Sequence, residues 1–230
     1  MSRLNNPSRG LVLCYVTDRH SLAATESGEA QKTLLPKIEA AAAAGVDWIQ
    51  IREKDLSGKD CALLTREALR QAAKSQAGRT ARTRIIVNDR LDVALTENAD
   101  GVHLGEKSLP VAEAKRLVAD RGARNDFLIG ASCHSLEAAK SAARDGADYL
   151  FFGPVFVTPT KSAFGAPQGL ERFATVCREV SISVLAIGGV TLENASACLA
   201  AGASGIAAIR LFQDAQDISS LVQSLRKLAR

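Results

Sequence analysis

Eight short apolar segments alternate along the chain with longer alanine- and leucine-rich segments of helical periodicity. The predicted strands occupy residues 11–17, 46–52, 84–88, 101–105, 127–132, 148–153, 183–188 and 205–209. The predicted helices lie near residues 30–44, 59–75, 110–119, 135–144, 170–179, 191–200 and 217–228, with a turn or two of helix near 90–98. Continuous apolar strands joined by helices indicate a parallel sheet that is covered on its faces and connected by right-handed crossovers.

An internal repeat supports this reading of the chain. "HSLEAAKSAARDGADYL" at 134–150 aligns without gaps with "VTLENASACLAAGASGI" at 190–206, so that Thr191 matches Ser135 and Gly202 matches Gly146. Chance similarity between alanine-rich helices explains the shared alanines. It explains less well why a capping residue (Ser135 and Thr191) and a glycine (Gly146 and Gly202) recur at the same positions. Eight such units favour a closed (β/α)₈ TIM barrel, of the α/β class, over an open doubly wound sheet, and 230 residues suit a barrel of about 250.

The chain is predicted to form a single domain. Residues 1–10 are expected to be a flexible tail and residues 11–230 the barrel, because no linker-like segment divides them. Ser57 and Thr191 are expected to cap helices. Pro36 is expected in a first helical turn, since within a helix it would remove a hydrogen bond.

Composition excludes several function classes. Hydrophobic residues make up 47% and charged residues 23%, and 29 basic against 25 acidic side chains argue against general nucleic-acid binding. Five cysteines without a CxxC pair are expected to be reduced thiols in apolar space. A polar start and the lack of a long apolar span predict a cytoplasmic protein with no membrane partner, and leave open whether it is a homo-oligomer.

Polar residues fall where the predicted strands end, which is the reactive face of such a barrel. In strand order they are Gln50, Arg52 and Lys54; Asn88 and Asp89; His103; Ser132 and His134; Thr158, Thr160 and Lys161; Gly188 and Gly189; and Ile209 and Arg210. Cations and hydroxyls gathered from different strands are a plausible cradle for a diphosphate. Asp89 among them would offer a carboxylate to Mg²⁺, and the glycines after the seventh strand would help to bind a phosphate.

Structural roles for the same residues also have to be considered. A charged residue at a strand end is often a solvated loop residue, His103 and His134 could each be structural, and Cys133 fits packing better than nucleophilic attack. No Ser-His-Asp order and no isolated strand lysine indicates covalent catalysis. The residues fit departure of a phosphate leaving group better than acyl transfer.

Several ordered motifs between residues 11 and 213 resemble thiamine-phosphate synthase and its relative, the thiazole tautomerase. They are "YVTDR", "IQIREKD", "VNDRLDVAL", "ADGVHLG", "GASCHS", "FGPVFVTPTK" and "AGASGIAAI". The resemblance implies a TIM barrel that joins hydroxymethylpyrimidine diphosphate to a thiazole phosphate, or to its carboxylate, by dissociative substitution. Diphosphate would leave, and the thiazole nitrogen would capture the pyrimidine methylene cation.

The resemblance also implies roles for individual residues. Arg52, Lys161 and Ser132 would be catalytic and would contact the diphosphate, and Asp89 would bind Mg²⁺. The residues expected to bind substrate are Gln50, Arg52, Lys54, Asn88, His103, Ser132, Thr158, Thr160, Lys161, Gly189, Ile209 and Arg210, of which Thr158, Thr160, Gly189 and Ile209 would hold the thiazole phosphate.

Two positions depart from the family pattern. Ser108 stands where the synthases usually carry an acidic residue of the Mg²⁺ site, and Glu106 is close enough in sequence to substitute for it. Arg210 stands where the family usually has a small hydroxyl residue, and it could strengthen phosphate binding or crowd it.

Three functions remain open from the sequence. Ser108 and His134 suit a tautomerase, which needs no diphosphate-bound Mg²⁺, whereas the "QIREK", "VND" and "TPTK" motifs favour the synthase. A non-catalytic barrel that binds pathway phosphates is the third reading, and the two departures are its only support.

Overall fold

The strands close into a barrel, as the sequence predicts. The structure, a computed structural model, describes residues 10–22, 27–75, 82–158 and 166–229. For residues 27–33 it describes the backbone but not the side chains. All eight strands are parallel and follow chain order around the barrel, and the first pairs with the eighth to close it. The fold is therefore a (β/α)₈ TIM barrel.

The strands are β1 (Val12–Val16), β2 (Trp48–Ile51), β3 (Arg84–Asn88), β4 (Gly101–Leu104), β5 (Leu128–Cys133), β6 (Tyr149–Phe152), β7 (Ser183–Ile187) and β8 (Gly205–Ala208). A 3₁₀ turn covers Arg19–Ser21. The α-helices of the described residues are α1 (Ser27–Ala44), α2 (Gly58–Lys74), α3 (Leu91–Thr96), α4 (Val111–Asp120), α5 (Leu136–Arg144), α6 (Gly169–Glu179), α7 (Ala195–Ala200), α8 (Arg210–Gln213) and α9 (Ile218–Lys227).

Some local predictions hold and others do not. Ser57 caps α2 as predicted, since its hydroxyl accepts the backbone N–H of Asp60 at 3.1 Å. The prediction for Pro36 was wrong: α1 begins at Ser27 and continues to Ala44, so the proline lies inside the helix rather than in its first turn. Thr191 lies one turn before α7, where its hydroxyl accepts the backbone N–H of Asn194 at 3.4 Å and its carbonyl accepts that of Ala195 at 3.0 Å. It therefore caps the turn that leads into α7, and the helix itself begins later than predicted, at Ala195.

The interior of the barrel is filled by large side chains. Trp48, Tyr149 and Phe151 lie there, and the rings of Trp48 and Tyr149 are centred 4.6 Å apart. Gly130 makes room for this packing, because a Cβ at that position would lie 2.1 Å from Cζ of Tyr149. The filled centre leaves no room for a ligand inside the barrel, and the reactive face of such a fold is its C-terminal end.

Carboxylates at the N-terminal end of the barrel repeat one contact in three of the four pairs of strands. Asp47, Asp100 and Asp148 precede the even strands β2, β4 and β6, and each accepts a backbone N–H at the start of the preceding strand over 2.7–2.8 Å. Ser204 precedes β8 instead. The same contact thus ties β2, β4 and β6 each to the strand that precedes it in the chain.

Apolar packing also accounts for the cysteines. Cys14, Cys61, Cys133 and Cys198 are buried, and Cys177 is half-buried. Among the helices of the described residues, none is both long enough and apolar enough to cross a membrane.

Candidate active site

Four polar side chains cover the filled centre of the barrel at its C-terminal end. Gln50, Asn88, His103 and Ser132 come from β2, β3, β4 and β5. Gln50 Nε2 donates to Asn88 Oδ1 at 2.9 Å, and His103 Nε2 lies 2.8 Å from Ser132 Oγ. Gln50 and His103 are almost fully buried, so these contacts fix their orientation. The structure thus brings together four of the residues predicted from separate strands.

Asp89 is held at the rim of this layer in an unusual backbone conformation. Its φ is 61°, in the left-handed region that aspartate adopts more readily than most residues. Asn88 Nδ2 donates to Asp89 Oδ2 at 2.6 Å, the N–H of Gly105 donates to Oδ1 at 2.9 Å, and the Ser108 hydroxyl also donates to Oδ1. Burial raises the pKa of Asp89, but these hydrogen bonds and the charge of Lys54 outweigh it, so the pKa is lowered and the carboxylate is ionised at neutral pH.

Arg52 and Lys54 lie on the same rim as Asp89. Arg52 follows β2, and its backbone N–H donates to Thr17 Oγ1 at 3.0 Å. Burial lowers the pKa of His103 to about 3. The negative charge of Asp89 raises this pKa, and the positive charge of Arg52 lowers it further. Ile51 of β2 pairs with Val87 of the neighbouring strand β3, so Arg52, Lys54 and Asp89 follow adjacent strand ends at the same edge of the barrel. The influence of Arg52 and Asp89 on the pKa of His103, and of Lys54 on that of Asp89, agrees with this placement.

A buried network beneath Arg52 was missed in the sequence. The Thr17 hydroxyl donates to Glu53 Oε1 at 2.6 Å, and Arg19 Nη1 donates to Glu53 Oε2 at 3.1 Å. Arg19 also pairs with Asp55. Glu53 stands between Arg52 and Lys54, where a charged residue is expected to be solvated. The one signal against this was the alternation of an extended segment, which directs Glu53 to the side opposite to Arg52 and Lys54.

The loops after β6 and β7 are joined to each other. Val155 N–H donates to Ile187 O at 2.9 Å, and Gly188 and Gly189 have φ of 92° and 69°. A Cβ on Gly189 would lie 2.5 Å from the carbonyl oxygen of Val157, so only glycine fits there. Half-buried Thr158 follows in the same loop.

Two predicted positions, Thr160 and Lys161, lie outside the described residues. At the end of β8, Ile209 packs against the apolar interior. Arg210 begins the short helix α8, which was not predicted, and its side chain is exposed.

Glu106 and Ser108 take different partners. Glu106 Oε1 accepts the backbone N–H of His134 at 3.0 Å and lies 3.0 Å from its Nδ1, whereas it is Ser108 that reaches Asp89. Burial, aided by Glu106, raises the pKa of Cys133 to about 12, so that thiol is protonated and does not act as a nucleophile at neutral pH.

A metal ion at this site would need oxygen atoms from a ligand. Within the described ranges, no three His, Cys, Asp or Glu side chains gather as a ready-made metal cluster. Asp89 offers an ionised carboxylate with a hydroxyl beside it, and Mg²⁺ is commonly held by one or two carboxylates together with phosphate oxygens. The donor set therefore fits Mg²⁺ in the company of a phosphate ligand.

Known proteins share this fold and much of the sequence. A thiamine-phosphate synthase of Chloroflexus aurantiacus is 38% identical over 218 residues, which cover 94% of this chain and 95% of the relative. A thiamine-phosphate synthase of Methanoculleus marisnigri is 43% identical over 186 residues, with 81% of this chain and 83% of the relative covered.

A solved structure adds to these relatives. Thiamine phosphate pyrophosphorylase from Pyrococcus furiosus superposes with a TM-score of 0.77 at 32% identity, over 95% of each chain. The model of one protein family, thiamine monophosphate synthase, matches residues 13–212. The chain belongs to the thiamine monophosphate synthase family.

Proposed function

We propose that this chain is a thiamine-phosphate synthase. It condenses 4-amino-2-methyl-5-hydroxymethylpyrimidine diphosphate with 4-methyl-5-(2-phosphoethyl)thiazole, or its carboxylate, to give thiamine phosphate and diphosphate. The observation that carries the proposal is the shared rim of Asp89, Arg52 and Lys54, which combines an ionised carboxylate with two cations. A tautomerase has no diphosphate to hold and no evident use for this combination. We place the enzyme in the cytoplasm, where the scattered thiols would stay reduced.

Mg²⁺ is part of the proposal. Asp89 would hold it, with the Ser108 hydroxyl adjacent, and the diphosphate would complete the coordination. When bound, the ion would neutralise charge on the departing diphosphate. Glu106, whose carboxylate contacts His134, would reach the ion only by turning away from that partner or through water.

Departure of the diphosphate requires charge stabilisation rather than proton transfer. The bond between the pyrimidine methylene carbon and the diphosphate oxygen breaks, and its electron pair leaves with the diphosphate. Arg52, Lys54 and Lys161 are the cations assigned to that developing charge, and Ser132 donates a hydrogen bond to it. The hydrogen-bonded amides of Gln50 and Asn88 lie where the pyrimidine end would rest.

The second substrate is placed on the other side of the rim. Thr158, Thr160 and the backbone at Gly189 and Ile209 would hold the thiazole phosphate, with Arg210 at the exposed edge. The thiazole nitrogen then donates its electron pair to the methylene cation and forms the C–N bond. No base is needed in this step, so the protein contributes positioning and electrostatics.

Product identification tests the proposal. The purified protein with both substrates and Mg²⁺ should release thiamine phosphate and diphosphate in equal amounts. Arg52→Gln should lower the rate strongly. Arg66→Gln is the control: Arg66 lies on the outer helix α2 and pairs with Glu97, so its replacement should leave the rate unchanged. Isomerised thiazole carboxylate phosphate without coupling would identify a tautomerase, and tight binding with no product would identify a non-catalytic binding protein.

A further inference from the structure

Ser132 contacts a chain of buried side chains that the proposed chemistry does not use. His103 Nδ1 lies 3.2 Å from the hydroxyl oxygen of Tyr149, and His103 Nε2 lies 2.8 Å from Ser132 Oγ. The imidazole packs against Phe151, with ring centroids 4.1 Å apart. Tyr149 and His103 are almost completely shielded from solvent, whereas Ser132 is half-buried at the floor of the candidate site.

Two proton arrangements fit these distances. In one, Tyr149 donates to Nδ1, and Nε2–H donates to Ser132. In the other, Nδ1–H donates to Tyr149, and the Ser132 hydroxyl donates to Nε2. The second arrangement leaves the Tyr149 proton without an acceptor, because the described residues offer that hydroxyl no hydrogen-bond partner besides His103. An unsatisfied buried donor is costly, so the first arrangement is favoured.

We infer that Tyr149 and His103 are positioning residues that hold the Ser132 hydroxyl as a donor towards the candidate site. Since Ser132 Oγ accepts from His103 Nε2–H, its own proton has to point elsewhere, and the open side of Ser132 is the site. The hydroxyl then selects a ligand atom that accepts a hydrogen bond, such as a diphosphate oxygen. This inference rests on the proposed function only for the identity of that ligand.

Burial keeps the imidazole in the required neutral form. The pKa of His103 is lowered to about 3, so the ring carries one proton throughout the neutral range. The pKa of Tyr149 is raised well above its ordinary value by burial, which keeps its proton available for donation. Neither group has to titrate for the arrangement to work.

Nitrogen-15 NMR of histidine-labelled protein tests the proton arrangement without any substrate. The unaltered protein should show a histidine with an unprotonated Nδ1 and a protonated Nε2, and loss of its signals in His103→Gln would assign it. Tyr149→Phe should move that ring towards the other tautomer. Tyr15→Phe is the matched control, because Tyr15 is an equally buried tyrosine to whose hydroxyl the described part of the chain offers no hydrogen-bond partner. A protonated Nδ1 in the unaltered protein would overturn the inference.

Binding of inorganic diphosphate, with Mg²⁺ present, tests the consequence for Ser132. Tyr149→Phe should weaken binding roughly tenfold, because Ser132 can then donate to the imidazole instead. In a Ser132→Ala background the same change should have no further effect. An equal loss in both backgrounds would reject positioning through Ser132. Failure of the unaltered protein to bind diphosphate would reject the diphosphate assignment and the proposed function, while the NMR result would still decide the tautomer.

Discussion

The Thr17 hydroxyl donates to Glu53 Oε1 over 2.6 Å, beneath the segment that carries Arg52. Thr17 also accepts the backbone N–H of Arg52, so its hydroxyl links the buried Glu53 carboxylate to the backbone at the rim of the candidate site. Arg19 completes the network, and the exposed fractions of the Arg19 and Glu53 side chains are 8% and 1%. The backbone of Arg52 is thus held by a network whose charge pair is shielded from water.

Replacing Glu53 tests this dependence. Glu53→Gln should lower the free energy of unfolding by about 2 kcal/mol, because it removes the buried one of the two carboxylates that neutralise Arg19 and leaves Asp55 as the remaining charged partner. Urea denaturation measures the change. Glu113→Gln, which disrupts the solvent-exposed pair with Arg116, should have no measurable effect. Equal stability of the two variants would show that the buried pair contributes nothing.

Ser108→Asp restores the acidic residue of the family pattern. A second carboxylate beside Asp89 should lower the Mg²⁺ concentration needed for half-maximal rate, because affinity for a hard cation rises with ligand charge. Without metal, repulsion between the carboxylates should lower the melting temperature, and Mg²⁺ should restore it. Ser108→Asn is the uncharged control. If the Mg²⁺ concentration for half-maximal rate were unchanged in Ser108→Asp, residue 108 would not belong to the proposed metal site.

Gly189 should be required for binding the thiazole phosphate. Gly189→Ala introduces a Cβ 2.5 Å from the carbonyl oxygen of Val157 at a φ of 69°, so the loop has to shift. We expect the KM for this substrate to rise about tenfold or more. Gly122→Ala has a similar φ of 62° but meets open space, so it should leave KM unchanged. Comparable KM values for both variants would exclude Gly189 from the phosphate site.

His103 should make stability depend on pH below neutrality. Its folded pKa of about 3 lies under the ordinary value of 6.5, so the unfolded chain binds more protons between these two pH values. Stability is therefore retained above pH 6.5 and is lost as pH falls, by about 1.4 kcal/mol per pH unit from this residue. Denaturation of the protein and of His103→Gln from pH 7 to about pH 5 should show a shallower dependence in the variant. Identical slopes would contradict burial of a neutral imidazole.

The barrel could be predicted because its strands are continuous apolar segments and each unit repeats the same pattern. Gln50, Asn88, His103 and Ser132 were also predictable, since strand parity sends alternate residues to the same face. These positions follow from local periodicity, which the sequence carries directly.

Contacts between loops could not be predicted in the same way. That Ser108 rather than Glu106 reaches Asp89 depends on the path of the chain after β4, which no periodicity encodes. Glu53 looks like one more charge in a solvated turn until the fold places Thr17 and Arg19 around it. Pro36 was misplaced because proline is normally favoured in a first helical turn, whereas α1 continues through it.

Calorimetric titration of inorganic diphosphate, with and without Mg²⁺, tests most directly whether Asp89 and Arg52 hold one anionic leaving group. Mg²⁺ should tighten binding at least about tenfold in the unaltered protein and have no such effect in Asp89→Asn, which can keep the left-handed backbone. Arg52→Gln should weaken binding in either condition, whereas Asp92→Asn, at an exposed pair with Arg90, should change neither. The proposed site would be contradicted if Mg²⁺ did not change the affinity for diphosphate, or if it tightened binding equally in Asp89→Asn.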